Sequence, residues 1–205
     1  HQHIQNIHES LSKRRPIRII GHSGLGKTRL VFEAFRKRGD NPDIEALQKQ
    51  LVYFDLASMG DLPELSKYII SHINQEGIIV VDNCDEESHR ALSGWVNSMG
   101  KFHLITIDIA STTNEETSFK LDRDNQRDIV KCMIDQKLSS SHSQNDRAYL
   151  NNICEGYPWM AVRFCNNIQK NGSADFSNNL PKDFIKRLLF SRIDEENVEY
   201  NVISA

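Results

Sequence analysis

Apolar residues arrive along this chain in short continuous runs, separated by longer stretches in which they recur at helical spacing. Ile17 to Ile20, Leu51 to Leu56, Gly77 to Val81 closed by Asp82, and Phe102 to Ile107 read as four strands, with Ser118 to Leu121 as a short fifth. Between them, the spacing predicts helices from Lys27 to about Arg38, from the Asp61-Leu62-Pro63 start to roughly Asn74, and from Glu86 to Val96. A run such as 77–82 that is apolar on both faces belongs to a strand covered on both sides. The alternation therefore predicts an α/β fold, a five-stranded and mostly parallel sheet flanked by helices.

From Asp124 the pattern changes. Ile129, Val130, Met133, Ile134 and Leu138 keep a helical period and no further strong strand appears, so a C-terminal helical lid subdomain is expected. The polar tract 139–145 reads as a loop, Asp146 to Cys154 as helix, Gly156-Tyr157-Pro158 as a break and Trp159 to Gln169 as a new helix. Asn171 to Asn179 reads as a linker and Pro181 as the start of a terminal helix carrying Val198, Val202 and Ile203. The expected division is 1–16 N-terminal helix and linker, 17–123 sheet domain, 124–170 lid, and 171–205 a lead into a further domain. A chain that opens on His1 and stops without a helix-capping signal is expected to be a segment of something longer.

Composition narrows the class. The 205 residues suit one medium domain with a small helical appendage, and a net charge of −3 gives no general attraction to nucleic acid or to an anionic membrane. The basic run Lys13-Arg14-Arg15 reads as a solvated turn before the first strand, and His1, His3 and His8 as solvated polar residues without metal-ligand spacing. Cys84, Cys132, Cys154 and Cys165 form no CxxC pair, which fits reduced thiols and a cytoplasmic location. No apolar stretch has membrane-spanning length, and no secretory leader is expected ahead of the domain.

The chemistry is concentrated directly behind the first strand. Gly21-His22-Ser23-Gly24-Leu25-Gly26-Lys27-Thr28 fits the phosphate-binding loop pattern GxxxxGK[ST] in its strand-loop-helix context. Its glycines let successive N–H groups turn inward around phosphates. Lys27 would reach the β/γ-phosphates, Thr28 would bind Mg²⁺, and Arg29 directly follows as a further nucleotide contact. Asp82, at the end of the third strand, stands where a P-loop NTPase keeps its second metal-holding acid. The ligands expected are thus a nucleoside triphosphate and Mg²⁺. Hydrolysis needs a group to orient water, but the next residue is Asn83, which can position water and cannot take its proton. Asp85, Glu86 or Glu87 would then act, unless they only cap the following helix. Asp85 is the catalytic candidate beside Lys27 and Asp82. Thr106, near the end of the fourth strand, is the candidate for sensing the γ-phosphate.

A complete strand and helix separate the two motifs, which resembles the branch of P-loop proteins containing AAA+ and related ATPases and implies a strand between those of Gly21 and Asp82. Gly156-Tyr157-Pro158-Trp159-Met160-Ala161 resembles the GLPLA-type motif of STAND ATPases, the class with NACHT and plant disease-resistance nucleotide-binding domains. That resemblance spans about Ile17 to Gln169. It implies adenine as the base, Pro158 in a lid over it, and a Mg·ATP-dependent switch that self-assembles in a bacterial signalling or antiphage protein with its own effector and trigger. The strand-four arginine common in that class is missing from Thr106-Ile107-Asp108. The alternative is an AAA+-type motor that works by continuous hydrolysis, whereas no acceptor site supports a phosphotransferase. A slow ATPase is the enzymatic expectation.

Overall fold

The computed structural model describes residues 2–36, 51–59, 62–71, 76–109, 118–138 and 143–171. They form two compact units, one of His1–Gly21 with Gly26–Asp122 and the other of His22–Leu25 with Arg123–Ala205. Several sequence expectations lie outside the described residues. These are the end of the second helix at Arg38, the Asp61 and Asn74 ends of the next, most of the tract 139–145, and everything beyond Asn171, including Pro181 and the Val198–Ile203 stretch.

The first unit runs α1 (Gln2–Ser12), β1 (Ile17–Ile20), α2 (Lys27–Phe35), β2 (Leu51–Asp55), α3 (Leu56–Met59), α4 (Leu62–Ser71), β3 (Gly77–Asp82), α5 (Glu86–Met99), β4 (Phe102–Asp108) and β5 (Ser118–Lys120). Its sheet has the order β2-β3-β4-β1-β5, and every pairing is parallel. β4 thus lies between β1 and β3, as the resemblance to the AAA+ branch implied.

Side chains alternate across the sheet, so Ile79, Val81, Phe102 and Leu104 share one face and bury themselves against Leu65 and Ile69 of α4 and Leu92 and Val96 of α5. The opposite face carries Ile17, Ile19, Ile78, Val80, Ile105 and Ile107, all buried. There α1 packs on β1 and α2, and His8 Nε2 sits 2.7 Å from the Ala34 carbonyl oxygen. The basic turn after α1 is tied down by Lys13 to Glu9 at 2.5 Å and Arg14 to Glu76 at 3.3 Å.

Boundaries differ from the sequence reading where a cap decides them. Leu56 opens α3 instead of ending β2, because the Asp55 carboxylate accepts from the Ala57 N–H at 3.0 Å and turns the chain. α5 continues to Met99, where the Gly100 N–H bonds the Val96 carbonyl.

The second unit holds a 3₁₀ turn (Asp124–Gln126), α6 (Arg127–Lys137), α7 (Gln144–Cys154) and α8 (Pro158–Asn171). α7 starts within the polar tract because Ser143 and Asp146 form a capping box, which satisfies two orphan donors. Val130, Ile134, Leu150, Cys154, Phe164 and Ile168 build its core. Burial pushes the Cys154 thiol up to about 12, so it serves as a small apolar side chain. Gly156 is required twice over: its φ is +84°, and an added Cβ would lie 2.2 Å from the Arg123 carbonyl oxygen.

The apolar run of β1 contains one charge, Arg18, and it is fully buried. Its Nη2 donates to Asp108 Oδ2 at 2.9 Å, with both side chains 1% exposed. Removing one partner of such a pair leaves an uncompensated buried charge, which costs about 3–5 kcal/mol. Asp108→Ala should therefore cost about that much in urea unfolding, and adding Arg18→Met should recover most of the loss. A double variant no more stable than Asp108→Ala would show that the pair is not the source of the effect.

Candidate functional site

The loop between β1 and α2 is shaped by backbone angles that few residues reach. Gly21, Gly24 and Gly26 have φ of 152°, 83° and 87°. At Gly26 no atom outside the adjoining residues lies within 4 Å of the point a Cβ would occupy, so the left-handed backbone alone demands glycine there. Leu25 anchors the loop in the interior at 1% exposure, while His22 is exposed and Ser23 and Gly24 half-buried. Within the second unit, the Trp159 N–H donates to the Gly24 carbonyl at 3.3 Å. That N–H belongs to the first turn of α8, where Pro158 stands first and has no N–H of its own to satisfy.

Lys27 begins α2, is 8% exposed, and donates from Nζ to the Gly21 carbonyl at 2.7 Å. Its neighbour Thr28 donates from Oγ1 to Asp82 Oδ2 at 2.8 Å. The two motifs, 54 residues apart in sequence, thus meet side chain to side chain. Arg29 turns outward along α2, pairing with Glu33 and lying with its guanidinium 5.0 Å from the Phe32 ring centre.

Asp82 is held by more than Thr28. The Tyr53 hydroxyl donates to the same Oδ2 at 2.7 Å, and Oδ1 accepts the Asn83 N–H at 2.9 Å. Burial, then the Asp82 carboxylate beside it, pushes the Tyr53 phenol well above its ordinary value, so it remains a donor. Asn83 has φ of 54°, and its side-chain amide donates to Asp55 Oδ1 at 2.7 Å. Tyr53 and Asp55 escaped the sequence reading. The signal available was that β2, like β3, is an apolar run closed by an aspartate, and the register sets Asp55 directly beside Asp82.

The remaining candidates are placed as follows. Asp85 is the N-cap of α5, its Oδ1 accepting the Ser88 N–H at 2.8 Å, with Glu86 and Glu87 in the first turn. Thr106 is fully buried two residues before β4 ends, with Oγ1 2.6 Å from His89 Nδ1 and 3.5 Å from the Ile17 carbonyl. Arg18, at the register position of Thr106, supplies the buried cation of this sheet from β1.

No family model matches the chain, and no curated protein matches its sequence. Among solved structures, the Walker-type ATPase PABY2304 of Pyrococcus abyssi is similar with a TM-score of 0.54 at 12% identity, over 84% of this chain and 68% of that one. The fold is that of the P-loop NTPases. Rhizobiales Trip13 also aligns, with a TM-score of 0.40 and 15% identity, over 70% of this chain and 60% of that protein's length. No described helix is long and apolar enough to cross a membrane.

Because Thr28 and Tyr53 donate to one oxygen, their contributions should be coupled. Tyr53→Phe and Thr28→Val should each cost about 0.5–1 kcal/mol at this half-exposed position. In a double-mutant cycle read by urea unfolding, the sum should miss the double variant by at least about 0.5 kcal/mol. Strict additivity would mean that the two hydroxyls do not share Asp82.

Proposed function

We propose that this chain binds Mg·ATP through Gly21, His22, Ser23, Gly24, Leu25, Gly26, Lys27 and Thr28, and serves as the nucleotide switch of a STAND-type signalling ATPase. The observation that carries the reading is the meeting of Thr28 with Asp82 at 2.8 Å beside a nearly buried Lys27. A hydroxyl and a carboxylate are hard oxygen donors of the kind Mg²⁺ prefers, and this ion usually takes one or two carboxylates plus substrate phosphates instead of a cage of protein ligands. No group of three or more His, Cys, Asp and Glu gathers among the described residues, and the proposed site needs none. When bound, Mg²⁺ would neutralise phosphate charge. Lys27 would then hold the phosphates, Asp82 would orient Thr28, and Tyr53 would fix Asp82.

Three features support a switch over a fast engine. The residue after Asp82 is an amide, Asp85 is occupied as a helix cap, and Pro158 opens a helix whose first-turn N–H engages Gly24 of the phosphate loop. Under this reading occupancy by Mg·ATP favours an assembled, active state, with antiphage signalling as its setting.

Calorimetry with Mg·ATP should show binding by the wild type and none by Lys27→Ala, with both folded by circular dichroism. Equal affinities would refute the phosphate-loop assignment. A phosphate-release assay on the same sample should show slow turnover, since the amide that follows Asp82 cannot take the proton of an attacking water. Brisk multiple turnover would instead favour a motor.

A further inference from the structure

We infer that Asp55, at the end of the edge strand β2, is a positioning residue that locks the Asn83 carboxamide with its oxygen turned to receive the attacking water; this rests on the nucleotide-binding reading above. An ionised carboxylate only accepts hydrogen bonds. The 2.7 Å contact from Asn83 Nδ2 to Asp55 Oδ1 therefore decides which end of the amide faces which way. With Nδ2 committed to Asp55, Oδ1 is directed to the other side, and among the described residues no protein donor reaches it.

Asp55 is itself fixed. Its Oδ1 also takes the Ala57 N–H at 3.0 Å, and its Oδ2 takes the Ser58 hydroxyl at 3.1 Å. The strand register sets Asp55 opposite Asp82, so the acid on β2 and the amide after β3 occupy one tier of the sheet's C-terminal edge. The backbone contributes as well, because Asn83 sits at φ 54°, a left-handed conformation that Asn and Asp tolerate and longer side chains rarely adopt. Such rare conformations persist where the surroundings over-determine them.

In hydrolysis the water oxygen bonds the γ-phosphorus, and the bond from that phosphorus to the β–γ bridging oxygen breaks with its electron pair going to ADP. One water proton passes to a γ-phosphate oxygen and the other stays on the attacking oxygen, with its hydrogen bond accepted by Asn83 Oδ1, so that the product is dihydrogen phosphate. Asn83 accepts a hydrogen bond without taking a proton. Asp55 never touches the water and acts only through the amide.

The test compares wild type, Asp55→Asn, Asn83→Asp and the exchanged pair Asp55→Asn/Asn83→Asp. Calorimetric affinity for Mg·ATP and single-turnover hydrolysis are measured on each. Asp55→Asn frees the amide to turn, and loss of an outer partner of this kind costs about 10- to 100-fold, so the hydrolysis step should fall by about tenfold or more at unchanged affinity. Asn83→Asp sets two carboxylates side by side and should also be impaired. The exchanged pair restores one acid, one amide and an outward-facing oxygen at position 83, and should recover at least the wild-type rate. A second readout needs no nucleotide: in the free protein, a downfield Asn83 side-chain amide proton in the NMR spectrum should move upfield in Asp55→Asn.

Asp55→Asn hydrolysing like wild type, or an exchanged pair no better than the single variants, would overturn the inference. So would an Asn83 amide proton that ignores Asp55, or a wild type that binds Mg·ATP and never hydrolyses it. A wild type that fails to bind Mg·ATP would instead refute the nucleotide reading itself.

Discussion

The buried pair of Arg18 and Asp108 is the constraint on which the position of the glycine-rich loop after β1 depends. A guanidinium at 1% exposure is tolerable only with a partner, because an isolated buried charge costs several kcal/mol. Arg18 stands opposite Thr106 in the parallel register, two residues short of Asp108. Sliding β1 along β4 by one residue would turn Arg18 to the other face, among Ile105 and Ile107, with no acid to meet it. The pair thus penalises the alternative that an isoleucine-rich strand would otherwise accept, and the correct register starts the loop at Gly21, immediately after Ile20 pairs with Asp108.

Three adjacent parallel strands end in aspartates, namely Asp55 on β2, Asp82 on β3 and Asp108 on β4, and each has a different neutralising environment. Asp108 has a buried cation, Asp82 two hydroxyls and a backbone N–H, and Asp55 an amide, a hydroxyl and a backbone N–H. Three bare carboxylates at one sheet edge would repel one another. The donors remove that penalty, and the β3 acid is bound to α2 through Thr28. Open α/β sheets place ligands beyond the carboxyl ends of their strands, and this is the edge at which the middle acid, Asp82, meets Thr28 of α2.

Much of this fold was legible because its determinants are local. Continuous apolar runs marked β1, β3 and β4, and the glycine spacing of the loop follows from backbone angles that only glycine reaches easily. The meeting of Thr28 and Asp82 could be anticipated only through resemblance to P-loop proteins with an inserted strand and helix, because the order of strands in a sheet is not written in their order along the chain. Arg18 was hidden because a strand run reads as apolar despite one charge, and its partner lies 90 residues away. Tyr53 and Asp55 were hidden for a related reason: which β2 side chain meets Asp82 depends on the register between two strands, and no local pattern sets that. Asp85 stayed ambiguous in sequence because acids suit both helix N-termini and catalysis, and the structure gives its carboxylate the capping bond to Ser88.

Position 83 shows how backbone geometry and chemistry limit each other. The chain turns sharply after β3, and the left-handed conformation there favours Asn or Asp, residues whose short polar side chains stabilise it locally. An aspartate at that point would stand beside Asp55 at hydrogen-bond distance, so one of the two would have to stay protonated. Asparagine satisfies the backbone and the neighbouring acid together, donating where a carboxylate would repel. The amide after Asp82 is then a consequence of the acid that closes β2, and a sequence comparison confined to the Asp82 strand would miss the residue that makes it necessary.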